Sequence, residues 1–249
     1  MRKILGTMAA AAILAASAIA QDAEGEDEAA AAGGIAPLLG HFSFKTEQPA
    51  GVVGALDAMM AACGGEVPAV VSLFAEQFNG ADDTTHTAIF SYAEASAVEQ
   101  TGIVFQTCAG ANSFNQSANA LSKPTGQYLG QTLLSGGNAL IDQAFTVFRL
   151  EVSDEAAYGE AFRTFMEAVS DDLPGSYGLV RIIGGASDAG THYAFFGGPD
   201  TAAVLAANDA ISAANSDDRR RFNRNVREIR RVIDTRITYR VKNYNVPAN

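Results

Sequence analysis

Thr85-His86-Thr87-Ala88-Ile89-Phe90 returns in the same chain as Thr191-His192-Tyr193-Ala194-Phe195-Phe196. Around this pair, Phe44-Lys45 returns as Phe148-Arg149, and Phe114-Asn115-Gln116 as Phe222-Asn223-Arg224. The offsets are 106, 104 and 108 residues. They stay in chain order with little drift, so the sequence reads as two structural copies fused in one polypeptide.

Each copy reads strand, helix, strand, strand, helical region, strand. In the second, Phe145 to Glu151 is rich in aromatic and branched residues and predicts a strand. Ser153 stands where an N-cap is expected, with Asp154 and Glu155 in the first turn. Tyr158, Phe162, Phe165, Met166 and Val169 then recur at helical spacing as one buried stripe. Tyr177 to Ile183 and Thr191 to Phe196 predict a hairpin. Asp200 opens an Ala-rich helix to about Asn215, and Ser216-Asp217 opens another that presents Phe222, Val226, Ile229 and Val232 or Ile233 inward. Arg236 to Val241 alternates polar and apolar residues, the pattern of a half-exposed closing strand.

The first copy follows the same order. Phe42 and Phe44 lie in its first strand, Val52 to Ala62 in its first helix, and Ala69 to Phe78 with Thr85 to Tyr92 in its hairpin. Ala95 to Leu121 is a helical region interrupted around Gly110, and Gly126 to Leu134 closes the copy. The expected fold class is therefore α+β: two tandem ferredoxin-like β-α-β-β-α-β units packed as a pseudo-twofold α+β barrel. The expected boundaries are 35–138 for the first copy and 139–249 for the second.

This element order and duplication resemble the dimeric α+β-barrel superfamily. The resemblance implies two sheets packed face to face with helices outside. It also implies cofactor-free monooxygenases, haem-degrading enzymes and the haem enzymes of the chlorite dismutase group as relatives in fold. The sequence itself has no Trp, and no histidine aligns with a haem-ligand motif.

Residues 1–20 have the form of a secretory signal peptide. Arg2 and Lys3 precede the apolar run Ile4 to Ala18, and Ala18-Ile19-Ala20 is a small-x-small cleavage site before Gln21. An uncleaved anchor is the alternative, but the apolar core is short for a span and an acidic stretch follows at once. Residues 21–34 carry five acids, then an Ala run closed by Gly33-Gly34, and read as a disordered tether. No later segment offers the ~18 consecutive apolar residues of a spanning helix. A periplasmic or secreted protein is expected, with no transmembrane segment after cleavage near Ala20. The two cysteines, Cys63 and Cys108, are then an expected disulfide, with two separate buried thiols as the alternative.

Chemistry-bearing patterns are sparse. The histidines His86, His192 and His41 are the candidate ligand-binding residues. His86 and His192 occupy equivalent places, so they could meet at the internal axis around an anion or metal. The plainer reading makes Thr-His a hairpin end with its imidazole bonded locally. Neither has a Cys or Glu at ligand spacing, so no metal site is expected. Gly184-Gly185 and Gly197-Gly198 lack a nucleotide-binding pattern and read as turns, and no Gly-x-Ser-x-Gly elbow is present. Phe44, Phe90, Phe148, Phe195 and Phe196 would suit either a core or a pocket for an apolar small ligand.

Charge is uneven. Residues 217–249 carry a net +6 and residues 1–216 a net −17, together the chain's −11. Arg219, Arg220, Arg221, Arg224, Arg227, Arg230 and Arg231 are placed mostly on the outer face of the last helix. That face could meet an acidic protein or an anionic envelope surface, or it could neutralise the acidic body through surface pairs. An acidic, exported chain is a poor candidate for nucleic acid. The sequence names no catalytic residue or cofactor. It favours an exported non-enzymatic module for a small ligand, an envelope component or a protein over an α+β-barrel enzyme.

Overall fold

A computed structural model describes residues 35–185, 190–214 and 216–247; the leader and tether expected at 1–34 lie outside them. The first half runs β1 (Leu38–Thr46), α1 (Pro49–Cys63), β2 (Val70–Gln77), β3 (His86–Tyr92), α2 (Ala95–Thr107), α3 (Ala109–Leu121) and β4 (Ser122–Gly136). The second runs β5 (Ala144–Val152), α4 (Glu155–Val169), β6 (Tyr177–Gly185), β7 (His192–Gly198), α5 (Thr201–Ala214), α6 (Ser216–Val226) and β8 (Arg230–Tyr244). Short 3-10 turns follow α1 and α4.

Each half carries four antiparallel strands in the order 4-1-3-2: β4-β1-β3-β2 in the first and β8-β5-β7-β6 in the second. Two seams join them. β2 pairs with β8 and β4 with β6, which closes the eight strands into one barrel. Closure removes the four open edges that two separate sheets would expose.

Strand alternation sorts the side chains into three cores. Phe90, Val71 and Leu73 point outward onto α1, α2 and α3 with Leu56, Met59 and Val104. Leu150, Leu179 and Ala194 point outward onto α4 and α6 with Tyr158, Phe162, Phe165 and Phe222. Leu39, Phe74, Phe145, Val180, Tyr193 and Phe195 form the third core inside the barrel.

Local signals explain the elements. Pro49 starts α1, where its missing N–H costs nothing. Asp154, rather than the expected Ser153, caps α4 by accepting from Ala157 N at 3.0 Å. Asp200 accepts from Ala203 N at 2.8 Å at the start of α5. The break in the first copy's helical region falls at Cys108, whose backbone is extended, two residues before Gly110. A Cβ on Gly110 would lie 2.6 Å from Ala62 Cβ and 2.9 Å from Cys63 Sγ, so this glycine is where α3 approaches α1. Cys63 and Cys108 form a disulfide there, with Cα atoms 6.2 Å apart.

Two further expectations differ from the structure. α6 ends at Val226, and the branched run that follows pairs with β5 from Arg230 onward, so Ile229, Val232 and Ile233 are not helical. Neither glycine pair forms a turn: Gly184 and Gly185 end β6, paired with Leu129 and Tyr128, and Gly197 and Gly198 lie within β7, where a Cβ on Gly197 would reach within 2.2 Å of Asp142 Oδ2. No helix among the described residues is long and apolar enough to cross a membrane.

Candidate functional site

The barrel interior is not filled. Eight-stranded barrels are just wide enough either to pack solid or to hold one small ligand. Here Ser43, Ser72, Thr87, Ser91, Gly126 and Thr238 place small groups inward, and a cavity of about 1160 Å³ remains. Its walls include the apolar side chains Leu39, Phe74, Ile89, Phe145, Val147 and Phe195. Ligand pockets commonly measure about 300–1,000 Å³, so one small molecule fits.

His41, Tyr128 and Tyr193 meet on one part of this wall. His41 Nε2 shares a 2.7 Å hydrogen bond with Tyr193 Oη, and its ring stacks on Tyr128 with centroids 4.3 Å apart. Burial pushes the His41 imidazole down to about 3, so the ring is neutral. Burial also pushes both phenols up. The trio therefore presents uncharged hydrogen-bonding groups to the cavity.

A charged cluster occupies another part. Arg236 meets Asp82 at 2.9 Å, Asp234 at 3.1 Å and Glu76 at 3.8 Å. Arg149 pairs with Asp234 and lies 3.7 Å from Asp82. Burial pushes the Glu76 carboxyl up, against the hydrogen bond that Thr87 Oγ1 donates to Oε1 at 2.6 Å. Burial acts the same way on Asp82, but hydrogen bonds from Thr84 and Arg236 outweigh it and hold that carboxyl at about 2. Asp234 is also held low, because Arg149 and Arg236 overcome its burial. Among the described residues no group of three or more His, Cys, Asp or Glu gathers to hold a metal ion.

Known structures share this architecture. A candidate monooxygenase from Fusobacterium nucleatum superposes with a TM-score of 0.59 at 13% identity, over 86% of this chain and 97% of its own. A candidate monooxygenase from Lactobacillus acidophilus gives 0.57 at 13% identity, over 84% and 96%. A point mutant of chlorite dismutase from Candidatus Nitrospira defluvii gives 0.51 at 12%, over 83% and 92%. This chain has the dimeric α+β-barrel fold. At these identities the likeness is one of fold. No protein-family profile and no curated protein sequence matches the chain.

In this α+β barrel the three histidines separate. His41 lines the cavity. His86 and His192 lie on β3 and β7, four strands apart in the ring of eight and hence on opposite sides. Each turns its Nδ1 to the preceding threonine hydroxyl, at 3.0 Å to Thr85 and 2.9 Å to Thr191. His86 stacks on Phe44, and His192 Nε2 lies 3.0 Å from Glu155 Oε2 on α4. Burial lowers both imidazoles, partly offset at His192 by Glu155. Of the five phenylalanines read as core or pocket, Phe195 alone lines the cavity, while Phe44, Phe90, Phe148 and Phe196 pack under the helices.

The seven arginines divide as well. Arg219, Arg220, Arg221 and Arg224 lie on α6, Arg227 follows it, and Arg230 and Arg231 begin β8. Arg220 pairs with Asp217, Arg221 with Asp218, Arg227 with Glu228 and Arg231 with Glu151. Arg230 donates to Asn223 and lies 5.3 Å over the Phe222 ring.

Sequence reasoning missed Tyr128, Tyr193, Glu76, Arg149, Arg236 and Arg240 as cavity groups. One signal could have found the last two. Arg236-x-Thr238-x-Arg240 repeats at the strand period, so all three share one face of β8.

Proposed function

We propose that this protein is an exported binding protein that encloses one small, largely apolar molecule inside the barrel. The cavity carries this reading: about 1160 Å³ inside the barrel, with an apolar stretch of Leu39, Phe74, Ile89, Phe145, Val147 and Phe195 beside the hydrogen-bonding trio and the charged cluster. The leader-like residues 1–20 and the Cys63–Cys108 disulfide support export, since disulfides persist in oxidising compartments. Residues 35–138 and 139–249 are read as the two copies that together wall the cavity. The arginine pairs around α6 are exposed and stabilise little individually, so that surface is read as self-neutralising.

An α+β-barrel oxygenase is the competing reading, favoured by the candidate monooxygenases of the same fold and by the His41–Tyr193 pair in the cavity. A proton-abstracting base works best with a pKa near the operating pH. His41, pushed down to about 3, is a weak base, and Asp82 and Asp234 are tied to arginines. Glu76, whose carboxyl burial pushes up, is the one cluster carboxylate shifted towards a base's range and the residue on which the oxygenase reading rests. Haem, which the resemblance implies, needs an axial donor. His41 is tied through Nε2 to Tyr193, while His86 and His192 face the helices. None of the three histidines is therefore placed to serve as a haem axial ligand in the cavity.

Native mass spectrometry of protein purified under gentle conditions tests the binding reading. The expected result is a fraction heavier than the polypeptide by one small molecule, with no visible absorption. A Soret band, or turnover of an apolar substrate with oxygen, would replace binding by the enzyme reading.

A further inference from the structure

Arg240 differs from the other arginines of the cavity wall because, among the described residues, no carboxylate forms an ion pair with it. Arg149 and Arg236 are matched to Asp82 and Asp234. Arg240 is 8% exposed, with its guanidinium carbon 5.1 Å and 5.4 Å from the ring centres of Phe74 and Phe145. Nη1 donates to the carbonyls of Leu140 and Asp142, and Nη2 to that of Ala139 at 2.6 Å. A guanidinium has five N–H donors, so two are unspent: the Nε–H and one Nη2–H. Nε is indeed buried without a partner. Those donors lie along one edge of the planar group, the fork that matches the two oxygens of a carboxylate. The nearby Asp142 carboxylate is committed to Ser176, accepting from its backbone N at 2.8 Å and its hydroxyl at 2.5 Å.

The duplication shows that the barrel does not need a cation at this place. Leu129 lies opposite Gly40 in the first half as Tyr239 lies opposite Ala144 in the second. Arg240 therefore stands where the first half has Gly130. The charged cluster elsewhere on the wall sets three acids, Glu76, Asp82 and Asp234, against two arginines. An anion is disfavoured there, whereas beside Arg240 a single carboxylate, Asp142, acts on a single arginine and the two unspent donors remain open to an acid group.

We infer that the ligand of this barrel is an apolar molecule bearing one carboxylate, and that Arg240 seats the carboxylate while the apolar body runs along Phe74, Phe145 and Phe195. The inference rests on the proposed ligand-binding role of the same cavity and adds the chemical class of the ligand.

Fluorescence titration at neutral pH with cis-parinaric acid and with its methyl ester tests it. The native protein should bind the acid at least about tenfold more tightly than the ester, the scale of a charge-assisted hydrogen-bond pair. Arg240→Gln should abolish the difference between the acid and the ester, whatever its effect on their common affinity. Equal, saturable affinity of the native protein for both probes would overturn the carboxylate inference while leaving the binding role standing. Discrimination that survives in a folded Arg240→Gln protein would also overturn it. Binding of neither probe would remove the binding role and the inference together. The comparison of two probes on the native chain holds even if Arg240→Gln fails to fold.

Discussion

His41 is neutral because it is buried, and this makes it a source of acid sensitivity. Its folded pKa of about 3 lies below its ordinary value of 6.5. As pH falls below about 6.5 the unfolded chain takes up the proton first, so the native state loses stability progressively down to about pH 3. His41→Gln keeps a hydrogen-bonding group for Tyr193 and removes the titration. Melting temperatures measured across this range should fall less steeply for His41→Gln than for the native protein; parallel curves would show that His41 is not held neutral by burial. Asp82 acts in the same direction at lower pH. Its folded pKa of about 2 lies below the ordinary carboxylate value, so its stabilising contribution is present above about pH 4 and is lost towards pH 2.

At the scale of elements, the order strand, helix, strand, strand, helical region, strand could be read from hydrophobic periodicity, and the repeat fixed the equivalence of the two halves. The side of each strand that faces the barrel could not be read. In β8, Arg236, Thr238 and Arg240 are the buried face, while Tyr239 and Val241 are 40% and 37% exposed. The expected pattern of a half-exposed strand has the opposite sense. Alternation establishes two faces, but partners distant in sequence decide which one turns inward. For Arg236 these are Glu76 and Asp82, reached only when the seam between β2 and β8 closes. The same limit hid the His41–Tyr193 pair, 152 residues apart. The disulfide ties the end of α1 to the junction of α2 and α3 and closes a loop of 45 residues. Loop closure of that length is worth about 2–4 kcal/mol. Cys63→Ser should therefore lower the melting temperature by about 5–15 °C, and reductant should do the same to the native protein. Equal melting under reducing and oxidising conditions would contradict a stabilising bridge.

At the scale of the whole molecule, two ferredoxin-like units close on each other and place their large outward residues under helices. Their inward residues are unevenly matched. Where the second half has Arg236 and Arg240, the first half has Gly126 and Gly130 in the corresponding register. This asymmetry puts charge on the second half's closing strand and leaves space on the first's at Gly126, whereas Gly130 is covered by Val180, whose Cγ1 would lie 2.6 Å from an added Cβ. A Cβ on Gly126 would meet only Ser43 Cβ, at 4.0 Å, so a larger side chain can enter the cavity there without displacing the wall. Titration of the native protein and of Gly126→Phe with the neutral parinaric methyl ester, alongside their melting temperatures, therefore probes the cavity itself. The native protein should show one saturable site, and Gly126→Phe should lose it while melting at a similar temperature. Saturable binding that is unchanged in Gly126→Phe, or absent from the native protein, would contradict a ligand site inside the barrel.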